Sequence, residues 1–384
     1  MHVLMISMDT SLLTQRIGNT RARHEIYAEQ SGRLSVVVCN RGTDLAAYDS
    51  STLHVVPTQS RGYLNYLLDG YRTGMRFHAE QPVDLITTQD PFLTALIGLM
   101  LRRRIRARLL IQDHSCLLEN EYFAAERPRN RLLQLLARQT VRRADAVRVV
   151  NHQEQSAAVR RGARNVCTIP VSTNFERFTQ PATDAQKAAW YAKLEIEPGT
   201  PLVLWVGRIV PVKNLPLLLK AFARVHAEIP AAHLVIAGGA DTLPAQTQGL
   251  GLTSAVHFPG TVVHADLPAL YQIATLYALA SNYEGLPLVL VEAAASGLPA
   301  ISTATAGARE VIVDGDMGIL VPIGDEVAMA DAIIRLLRDP ARAAAMGIHA
   351  RDHVRQCFDE QRLIAQWMGL WRAVAAGEKP PCAS

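Results

Sequence analysis

The sequence predicts an α/β fold made of two doubly wound domains that face each other across a cleft. Apolar runs of strand length alternate with helical stretches, which is the pattern of parallel sheets covered on both faces. The alternation breaks once, at the turn-forming stretch 169–174, and then restarts. A length of 384 residues with 49% hydrophobic content suffices for two cores. We therefore predict domains at 1–172 and 173–357, and a final helical segment with a disordered tail at 358–384.

The first half begins with an apolar run, Val3 to Ile6, that has no basic segment before it and no cleavage site after it. It is interpreted as a strand and not as a signal peptide. The apolar runs predict strands at 3–6, 34–39, 53–56, 83–87, 108–111 and 146–150. Helical patterns lie at 21–30, 63–79, 92–101 and 130–143.

The second half repeats this pattern. Strands are predicted at 202–206, 233–237, 256–258, 276–280, 299–302 and 318–321. Helices are predicted at 215–229, 267–273, 327–337, 342–357 and 361–376, and one more helix begins near Pro287. Ligands of such sheets bind beyond the carboxyl ends of the strands, so the loops after these strands are the places to look for a site.

Charge is distributed unevenly between the two halves. Residues 1–175 contain 23 arginines and no lysine against 15 acidic residues, a charge of +8, whereas the remainder carries −4. A basic half favours a nucleic acid, an anionic membrane surface or a phosphorylated acceptor as partner. The five scattered cysteines, without a C-x-x-C pair, argue against a disulfide framework or a zinc site and fit a reducing cytosol. No window predicts a transmembrane helix, so the expected location is cytoplasmic, with peripheral contact at the inner face of the membrane as an option.

One strand of the second half ends in Gly207, and two cations follow it, Arg208 and Lys213. Two fixed cations at the carboxyl end of a strand can neutralise a diphosphate and stabilise the charge on a departing nucleoside diphosphate. The alternative is a pair of solvated charges at the start of a helix. A lysine near a helix N-terminus opposes the helix dipole, which favours a bound anion.

The stretch from Ser281 to Glu292 reads as a strand end, a loop and a helix that begins near Pro287 and is closed by Gly297. Glu284 lies in the loop, and Glu292 lies about two turns inside the helix among apolar neighbours. A lone carboxylate there is costly unless it has partners, and ribose hydroxyls would supply them. Metal binding by the two carboxylates is a weak alternative, because no Asp-x-Asp or histidine cluster accompanies them.

These motifs occur in the order Gly-Arg-x-x-x-x-Lys-Asn, Gly-Gly, then Glu-Gly-x-Pro-Leu-x-x-x-Glu-Ala. In this order, over residues 170–340, the chain resembles the retaining glycosyltransferases of the GT-B fold, glycosyltransferase family 4 (group 1). The resemblance implies two Rossmann-like domains with the donor nucleotide mainly on the second. It also implies a final helix that crosses back to the first domain, and no metal, since arginine and lysine take that role.

The resemblance also implies residue roles. Arg208 and Lys213 would hold the donor diphosphate, Glu284 would contact the donor sugar, and Glu292 would bind the ribose. The segment 258–262 looks like the loop that reads the base. The donor-binding residues it implies are Gly207, Val262, Gly285, Leu286, Pro287, Leu288 and Glu292.

The first domain carries fewer recognisable motifs. In place of a Gly-Gly loop after the first strand it has a single Gly18, followed by Arg21 and Arg23, which are candidates for phosphate contacts. His114 follows a strand, and the resemblance implies a position near the donor sugar and acceptor. Asp90 also follows a strand, so it either lines the acceptor side or only caps the next helix.

The basic segments 102–106 and 127–143 allow two interpretations. Solvated helix faces are the default interpretation, and a helix face that binds an anionic lipid surface is the alternative. The second segment mixes arginines with four leucines, and we expect these leucines to pack on the sheet: Leu132, Leu133, Leu135 and Leu136.

Together these observations predict a retaining glycosyltransferase that uses a UDP-, GDP- or ADP-sugar. The acceptor would be a lipid-linked saccharide, a small metabolite or a growing polysaccharide. No residue is an obvious covalent nucleophile, so we expect front-face departure and attack, with domain closure excluding water.

Three alternatives remain open at this point. A sugar-nucleotide epimerase or phosphorylase could use the same fold. An NAD-dependent oxidoreductase would require a Gly-x-Gly-x-x-Gly fingerprint, which neither half contains. A nucleic-acid-binding protein would leave Glu284 and Glu292 without a purpose, so we expect no nucleic-acid partner.

Overall fold

The computed structural model describes residues 1–14, 20–172, 174–239 and 243–382. The chain divides into two compact units. Unit 1 consists of Met1–Ser172 and Gln361–Ser384, and unit 2 of Thr173–Glu360. Each unit contains its own sheet, and the predicted two-domain α/β architecture is confirmed.

Unit 1 is built on an eight-stranded sheet. Its strands are β1 (His2–Ser7), β2 (Arg33–Val38), β3 (Tyr48–Asp49), β4 (Leu53–Pro57), β5 (Leu85–Thr88), β6 (Arg108–Asp113), β7 (Ala146–Val149) and β8 (Val166–Thr168). The order is β3-β4-β2-β1-β5-β6-β7-β8. All neighbours are parallel except β3 and β4. The strand order reverses at β1, which is the topological switch point where such sheets bind ligands.

The helices of unit 1 cover both faces of this sheet. They are α1 (Ser11–Thr14), α2 (Thr20–Ser31), α3 (Tyr63–Glu80), α4 (Leu93–Arg102), α5 (Glu121–Glu126), α6 (Pro128–Val141) and α7 (His152–Arg160). Successive residues of β1 point to opposite faces, so Leu4 and Ile6 join one core cluster while Val3 and Met5 join the other. This double burial explains why the strands are continuous apolar runs.

The expectation that the α6 leucines pack on the sheet is wrong for two of them. Leu132 is 67% exposed and Leu135 is 57% exposed, whereas Leu133 and Leu136 are half-buried. The side of α6 that packs inward carries Ala137 and Val141 instead. The helix therefore exposes two leucines to solvent beside its arginines.

Unit 2 contains a six-stranded, fully parallel sheet. Its strands are β9 (Leu202–Val206), β10 (His233–Ala237), β11 (Val256–Gly260), β12 (Leu276–Leu279), β13 (Ala300–Thr303) and β14 (Gly318–Val321). The order is β11-β10-β9-β12-β13-β14. It reverses at β9, whose neighbours are β10 and β12. The loops that follow β9 and β12 therefore start side by side at the switch point.

The helices described in unit 2 are α8 (Glu176–Thr179), α9 (Asp184–Leu194), α10 (Leu215–Glu228), α11 (Leu243–Gly249), α12 (Leu267–Ile273), α13 (Leu288–Ala295), α14 (Ala306–Val311), α15 (Glu326–Arg338) and α16 (Pro340–Cys357). The sequence pattern did not indicate four of them: α8, α9, α11 and α14. A short 3₁₀ turn, Pro211–Lys213, precedes α10. One contiguous core fills unit 2.

The last helix, α17 (Glu360–Ala376), packs on unit 1. Its residues Leu363, Trp367 and Trp371 join the core cluster that contains Val3 and Met5. Their spacing of four places all three on one side of the helix. The helix thus covers one face of the unit 1 sheet.

Two expectations are corrected by one contact at the end of the chain: the disordered tail and the absence of disulfides. Cys382, in the segment expected to be disordered, forms a disulfide with Cys167 of β8. The Cα atoms are 5.2 Å apart, within the usual range for disulfides. No sequence signal indicated this pair, because 215 residues separate its members and only the folded chain brings them together. The inference from scattered cysteines to a reducing compartment loses its support.

Candidate active site

The centre of the unit 2 site is an ion pair between Lys213 and Glu284. β9 and β12 are parallel neighbours, so the loops beyond them run together. The Lys213 Nζ donates to Glu284 Oε1 at 2.5 Å, and the two side chains are only 17% and 13% exposed. The Ser281 hydroxyl donates to the same oxygen at 2.7 Å. The structure therefore brings together two residues that the sequence assigned to diphosphate and sugar separately.

Further hydrogen bonds tie the two loops to each other. The Asn282 amide N–H donates to the Val212 carbonyl at 2.8 Å, and Asn214 Nδ2 donates to Asn282 Oδ1 at 3.0 Å. Asn214 has a left-handed conformation, with φ of 46°, which ends the 3₁₀ turn and directs the chain into α10. These contacts fix the position of Lys213, since it stands directly before Asn214.

Arg208 remains outside this network. It is exposed, and it has no hydrogen-bond or ion-pair partner within the described part of the chain. The strand end before it is fixed by Tyr277, whose hydroxyl donates to the Val206 carbonyl at 3.0 Å and lies 3.3 Å from the Val206 amide nitrogen. Gly207 follows, and an added Cβ there would lie 3.2 Å from the Trp205 ring. Among the described residues, Arg208 is thus an unpaired cation on a well-supported strand end.

Glu292 lies in α13 and is only 7% exposed. The Tyr271 hydroxyl donates to its Oε2 at 3.0 Å, and His264 Nε2 lies 3.6 Å from its Oε1. Burial, and then the charge of Glu292, raise the pKa of Tyr271 well above its usual value, so the hydroxyl stays a donor. The sequence had suggested a lone carboxylate among apolar residues. The structure instead gives Glu292 two partners, Tyr271 and His264.

An arginine determines how His264 meets Glu292. Arg177 Nη1 donates to His264 Nδ1 at 2.8 Å, which leaves the Nε2 of a neutral ring as the N–H that faces the carboxylate. Sequence reasoning missed Tyr271, His264 and Arg177, because no motif connects them. A buried carboxylate in an apolar helix was the one available signal that such partners exist.

The loop before α13 is held from the side by α14. The Gly307 N–H donates to the Glu284 carbonyl at 3.1 Å, and an added Cβ on Gly307 would lie 2.5 Å from the Gly285 oxygen and 2.8 Å from Pro287 Cδ. Pro287 is the cap residue before the helix, and Leu288 is the first helical residue. Gly285, Leu286, Pro287 and Leu288 therefore form the approach to a helix N-terminus, which favours anions.

The segment proposed to read the base extends from β11. Gly260 ends that strand with φ of 78°, and Val262 is half-buried against the unit 2 core. The position is a loop at the carboxyl end of a strand, as expected, and its contact with a base stays a prediction.

In unit 1, His114 follows β6 and is half-buried. Its Nδ1 lies 3.3 Å from Nη1 of Arg148, which must donate to it. Burial, and then the charge of Arg148, lower the pKa of His114 well below its usual value. His114 is therefore a neutral imidazole whose Nε2 carries the proton, and it is suited to donate a hydrogen bond.

Arg148 is a buried cation that sequence reasoning missed. Its guanidinium donates to the carbonyl groups of Ile169 and Pro170 at 2.7 and 2.8 Å and lies 4.9 Å from the Trp367 ring centroid. Burial lowers its pKa to about 10, so it stays charged at neutral pH. Its position inside an apolar strand, β7, was the available signal.

The other unit 1 candidates have structural partners. Arg21 donates to the Leu12 carbonyl at 2.8 Å and lies 4.3 Å from the Tyr48 ring centroid, whereas Arg23 donates to the Ser172 carbonyl at 2.9 Å. Gly18 lies outside the described residues. The phosphate contacts of these three residues stay predictions.

Asp90 is not the N-cap of α4, which is Phe92, but its carboxylate binds the backbone at the start of that helix. Its Oδ1 accepts from the backbone N–H groups of Phe92 at 2.7 Å and Thr94 at 3.4 Å, at the start of α4. Burial raises the pKa of Asp90. A role at the acceptor side stays a prediction.

Next to His114 lies a buried pair of carboxyl groups, Asp113 and Glu154. Glu154 accepts the Leu118 amide N–H at 2.9 Å, and Asp113 accepts the Ser115 N–H at 2.9 Å. Burial, and then the charge of Asp113, raise the pKa of Glu154 well above its ordinary value of 4.5. The pair therefore retains a proton at neutral pH and supports the loop that carries His114.

This pair predicts a pH dependence of stability. As pH rises above 4.5, the unfolded chain releases the Glu154 proton that the native state keeps, so the free energy of unfolding falls. The slope approaches about 1.4 kcal/mol per pH unit for a single group. Glu154→Gln, which keeps an acceptor for Leu118, should flatten the curve in denaturant titrations between about pH 5 and pH 8. Glu121→Gln, an exposed control on α5, should follow the wild type. Identical slopes for both variants would contradict the assignment.

Two features are absent from the described residues. Those residues contain no group of three or more histidine, cysteine, aspartate or glutamate side chains that could hold a metal ion. None of their helices is long and apolar enough to cross a bilayer. The expectation of metal-independent chemistry stays a prediction.

Two family models match the chain. "Glycosyl transferase 4-like domain" matches residues 18–172, and "Glycosyl transferases group 1" matches residues 186–353. The first lies in unit 1 and the second in unit 2. Each unit thus matches a separate model of glycosyl transferases.

Curated relatives include a GDP-mannose-dependent alpha-(1-6)-phosphatidylinositol monomannoside mannosyltransferase of Mycolicibacterium smegmatis. It is 34% identical over 39% of this chain and 42% of the relative. A D-inositol 3-phosphate glycosyltransferase of Corynebacterium glutamicum is 26% identical over 98% of this chain and 92% of the relative. The chain spans about half the length of the first relatives it matches, between 42% and 53%.

Solved structures of similar fold cover nearly the whole chain. Sucrose-phosphate synthase from Thermosynechococcus elongatus matches with a TM-score of 0.84 and 25% identity over 98% of this chain and all of that one. The Anabaena protein HepE in complex with UDP matches with a TM-score of 0.76 and 20% identity, over 97% of this chain and 100% of its own. The second likeness concerns the fold alone.

Proposed function

Because this chain belongs to the glycosyl transferase group 1 family and has the GT-B fold, we propose that it transfers a sugar from a nucleoside-diphosphate donor to an acceptor hydroxyl, with retention of anomeric configuration. The observation that carries the proposal is the arrangement at the switch point of unit 2. Arg208, which has no partner among the described residues, the Lys213–Glu284 pair and the N-terminus of α13 all follow strands β9 and β12. This combination suits a ligand with both phosphate and hydroxyl groups.

Each residue of the site has a role that follows from its chemistry. Arg208 and Lys213 neutralise the diphosphate and stabilise its charge as the glycosidic bond breaks. Glu284 orients Lys213, and its second oxygen accepts a sugar hydroxyl. Glu292, positioned by Tyr271, accepts the ribose hydroxyls. The departing phosphate takes the acceptor proton, and the acceptor attacks from the face that the phosphate leaves.

The donor and acceptor classes follow from the relatives and the chemistry. The names of two relatives specify GDP-mannose and inositol 3-phosphate, and HepE binds UDP. We propose a UDP-, GDP- or ADP-sugar as donor. The acceptor is a hydroxyl of a saccharide, of a lipid-linked glycan or of a small phosphorylated molecule. Such transfers belong to glycolipid and glycoconjugate biosynthesis.

A panel of donors tests the proposal. Thermal shift with UDP-, GDP- and ADP-sugars should identify one donor by stabilisation, since a ligand that binds only the native state raises the unfolding temperature. Slow hydrolysis of that donor, followed by NMR, should release the sugar with its starting anomeric configuration. Release of an epimerised sugar nucleotide, or turnover that depends on phosphate, would instead favour an epimerase or a phosphorylase.

We further propose that α6 brings unit 1 to an anionic membrane. Leu132 and Leu135 are solvent-exposed. They form an apolar strip on α6 that is flanked by cations: Arg129, Arg131 and Arg138. Each basic residue near such a surface contributes about 1 kcal/mol.

Vesicle binding checks this contact. Leu132→Ser/Leu135→Ser should weaken co-sedimentation with phosphatidylglycerol vesicles about tenfold or more, because the loss of two leucines removes several kcal/mol of apolar burial. Leu68→Ser, an exposed leucine on α3 of the same unit, is the matched control. Equal binding of all three proteins would rule out insertion of the leucines.

A further inference from the structure

Unit 1 contains a concave site at the amino ends of its strands, whereas His114 follows the carboxyl end of β6. It is a cavity of about 580 Å³ beside the amino ends of β6, β7 and β8. Six arginines line it: Arg102, Arg103, Arg108, Arg142, Arg143 and Arg164. They come from four separate segments of the chain. We call this cavity the arginine pocket.

The carboxylates in the arginine pocket do not balance its charge. Among the described residues, two acidic side chains line it, Asp145 and Glu378, which leaves an excess of four positive charges. Asp145 Oδ1 accepts from Arg102 Nη2 and from Arg108 Nη1, both at 3.0 Å, and its Oδ2 accepts the Leu109 N–H at 2.8 Å. Asp145 thus holds two guanidinium groups at the start of β6.

Other arginines in the pocket have no such partner. Arg103, Arg142 and Arg164 are exposed, and their guanidinium groups form no hydrogen bond or ion pair in the part of the chain that the structure describes. Helix dipoles explain some of these positions, because α4 and α6 end beside the pocket and favour cations there. That explanation does not extend to Arg108, which begins a strand, or to Arg164, which lies between α7 and β8.

The pocket is separate from the proposed transfer site. Arg108 opens β6 and His114 follows its other end, so the strand lies between them. Ligands of the reaction are expected at the carboxyl ends of the strands. The arginine pocket therefore has no place in the proposed reaction.

We propose that the arginine pocket binds a compact ligand that carries two or more phosphate groups. Arginine presents planar, paired donors that match phosphate oxygens, and it is always charged. All six cations of the pocket lie within residues 1–175, a stretch with 23 arginines and no lysine, so each of them is the cation that binds phosphate bidentately. The same chemistry is found in soluble diphosphates and in phosphorylated lipid headgroups.

The test uses paired charge reversals in the full chain. Arg103→Glu/Arg164→Glu removes two unpaired arginines of the pocket, and Arg104→Glu/Arg106→Glu makes the same charge change at exposed neighbours that do not line it. Both are placed in a Lys213→Ala background, which suppresses binding at the proposed donor site. The probe is inorganic pyrophosphate, measured by calorimetry at fixed ionic strength.

The pocket pair should weaken pyrophosphate binding at least tenfold relative to the background, and the control pair should change it less than threefold. Similar losses in both pairs, no loss in the pocket pair, or no binding in the background would each overturn the proposal. Should thermal unfolding show that the pocket pair is misfolded, Arg103→Gln/Arg164→Gln replaces it, with the same expectation. Vesicles of equimolar phosphatidylcholine and phosphatidic acid then identify the source. Sedimentation that requires Arg103 and Arg164 assigns a lipid headgroup, and pyrophosphate binding alone assigns a soluble ligand.

Discussion

Lys213→Ala should lower kcat/KM for sugar transfer by about 10²–10³, which corresponds to roughly 2.7–4 kcal/mol of transition-state stabilisation. The ammonium group is mostly buried and fixed by Glu284, so it needs no reorganisation when charge develops on the leaving diphosphate. The measurement is steady-state kinetics with the donor found in the panel. Lys220→Ala, which removes an exposed lysine from the neighbouring helix α10, should leave kcat/KM unchanged.

A double-mutant cycle separates two roles of Lys213. Glu284→Gln removes the charge of the partner and keeps an acceptor for the Ser281 hydroxyl. If Lys213 acts on the diphosphate, Lys213→Ala stays severely impaired in the Glu284→Gln background. If Lys213 serves only to neutralise Glu284, the double variant recovers most of the activity, because no uncompensated carboxylate remains. Recovery would remove Lys213 from the proposed mechanism.

The sequence predicted the sheets of this protein well for a physical reason. Strands buried on both faces must be apolar throughout, so β9 and β10 are recognisable as uninterrupted runs at 202–206 and 233–237. Short helices at the surface have no such requirement. α9 and α11 lack a long apolar stripe, and the pattern did not indicate them.

Sequence reasoning located the candidate residues of the site but not their contacts. Gly207, Arg208 and Glu284 follow strands, and parallel strands bring such positions to one edge. The pairing of Lys213 with Glu284 joins residues 71 apart in sequence, and the partners of Glu292 come from α12 and from the loop after β11. Only the tertiary fold determines these side-chain contacts.

The same limit applies to the buried charges of unit 1. Arg148 stands in the apolar strand β7 and Glu154 in the polar helix α7, and their partners are carbonyl groups and a carboxyl group contributed by other segments. The sequence shows the charged residue in each element. It does not show whether that charge faces solvent or has partners within the fold.

Gly307→Ala should damage both stability and activity. The added Cβ would lie 2.5 Å from the Gly285 oxygen and 2.7 Å from its carbon, and neither backbone atom can move without shifting the loop before α13. Overpacking of this kind costs about 1–3 kcal/mol of unfolding free energy. A displacement of about 1 Å in a positioning loop can lower kcat by about 10². Denaturant titration and steady-state kinetics measure the two effects.

A glycine control shows which effect belongs to the site. Gly369 lies in α17, and an added Cβ there meets nothing within 4 Å, so Gly369→Ala should keep wild-type kinetics and gain up to about 1 kcal/mol of stability. If Gly307→Ala loses stability but keeps kcat/KM, the loop from Gly285 to Pro287 tolerates displacement and cannot be positioning the donor. If kcat/KM falls while KM for the acceptor is unchanged, the loop acts on the donor alone. That second result would tie α14, an element absent from the sequence prediction, to the reacting half of the proposed site.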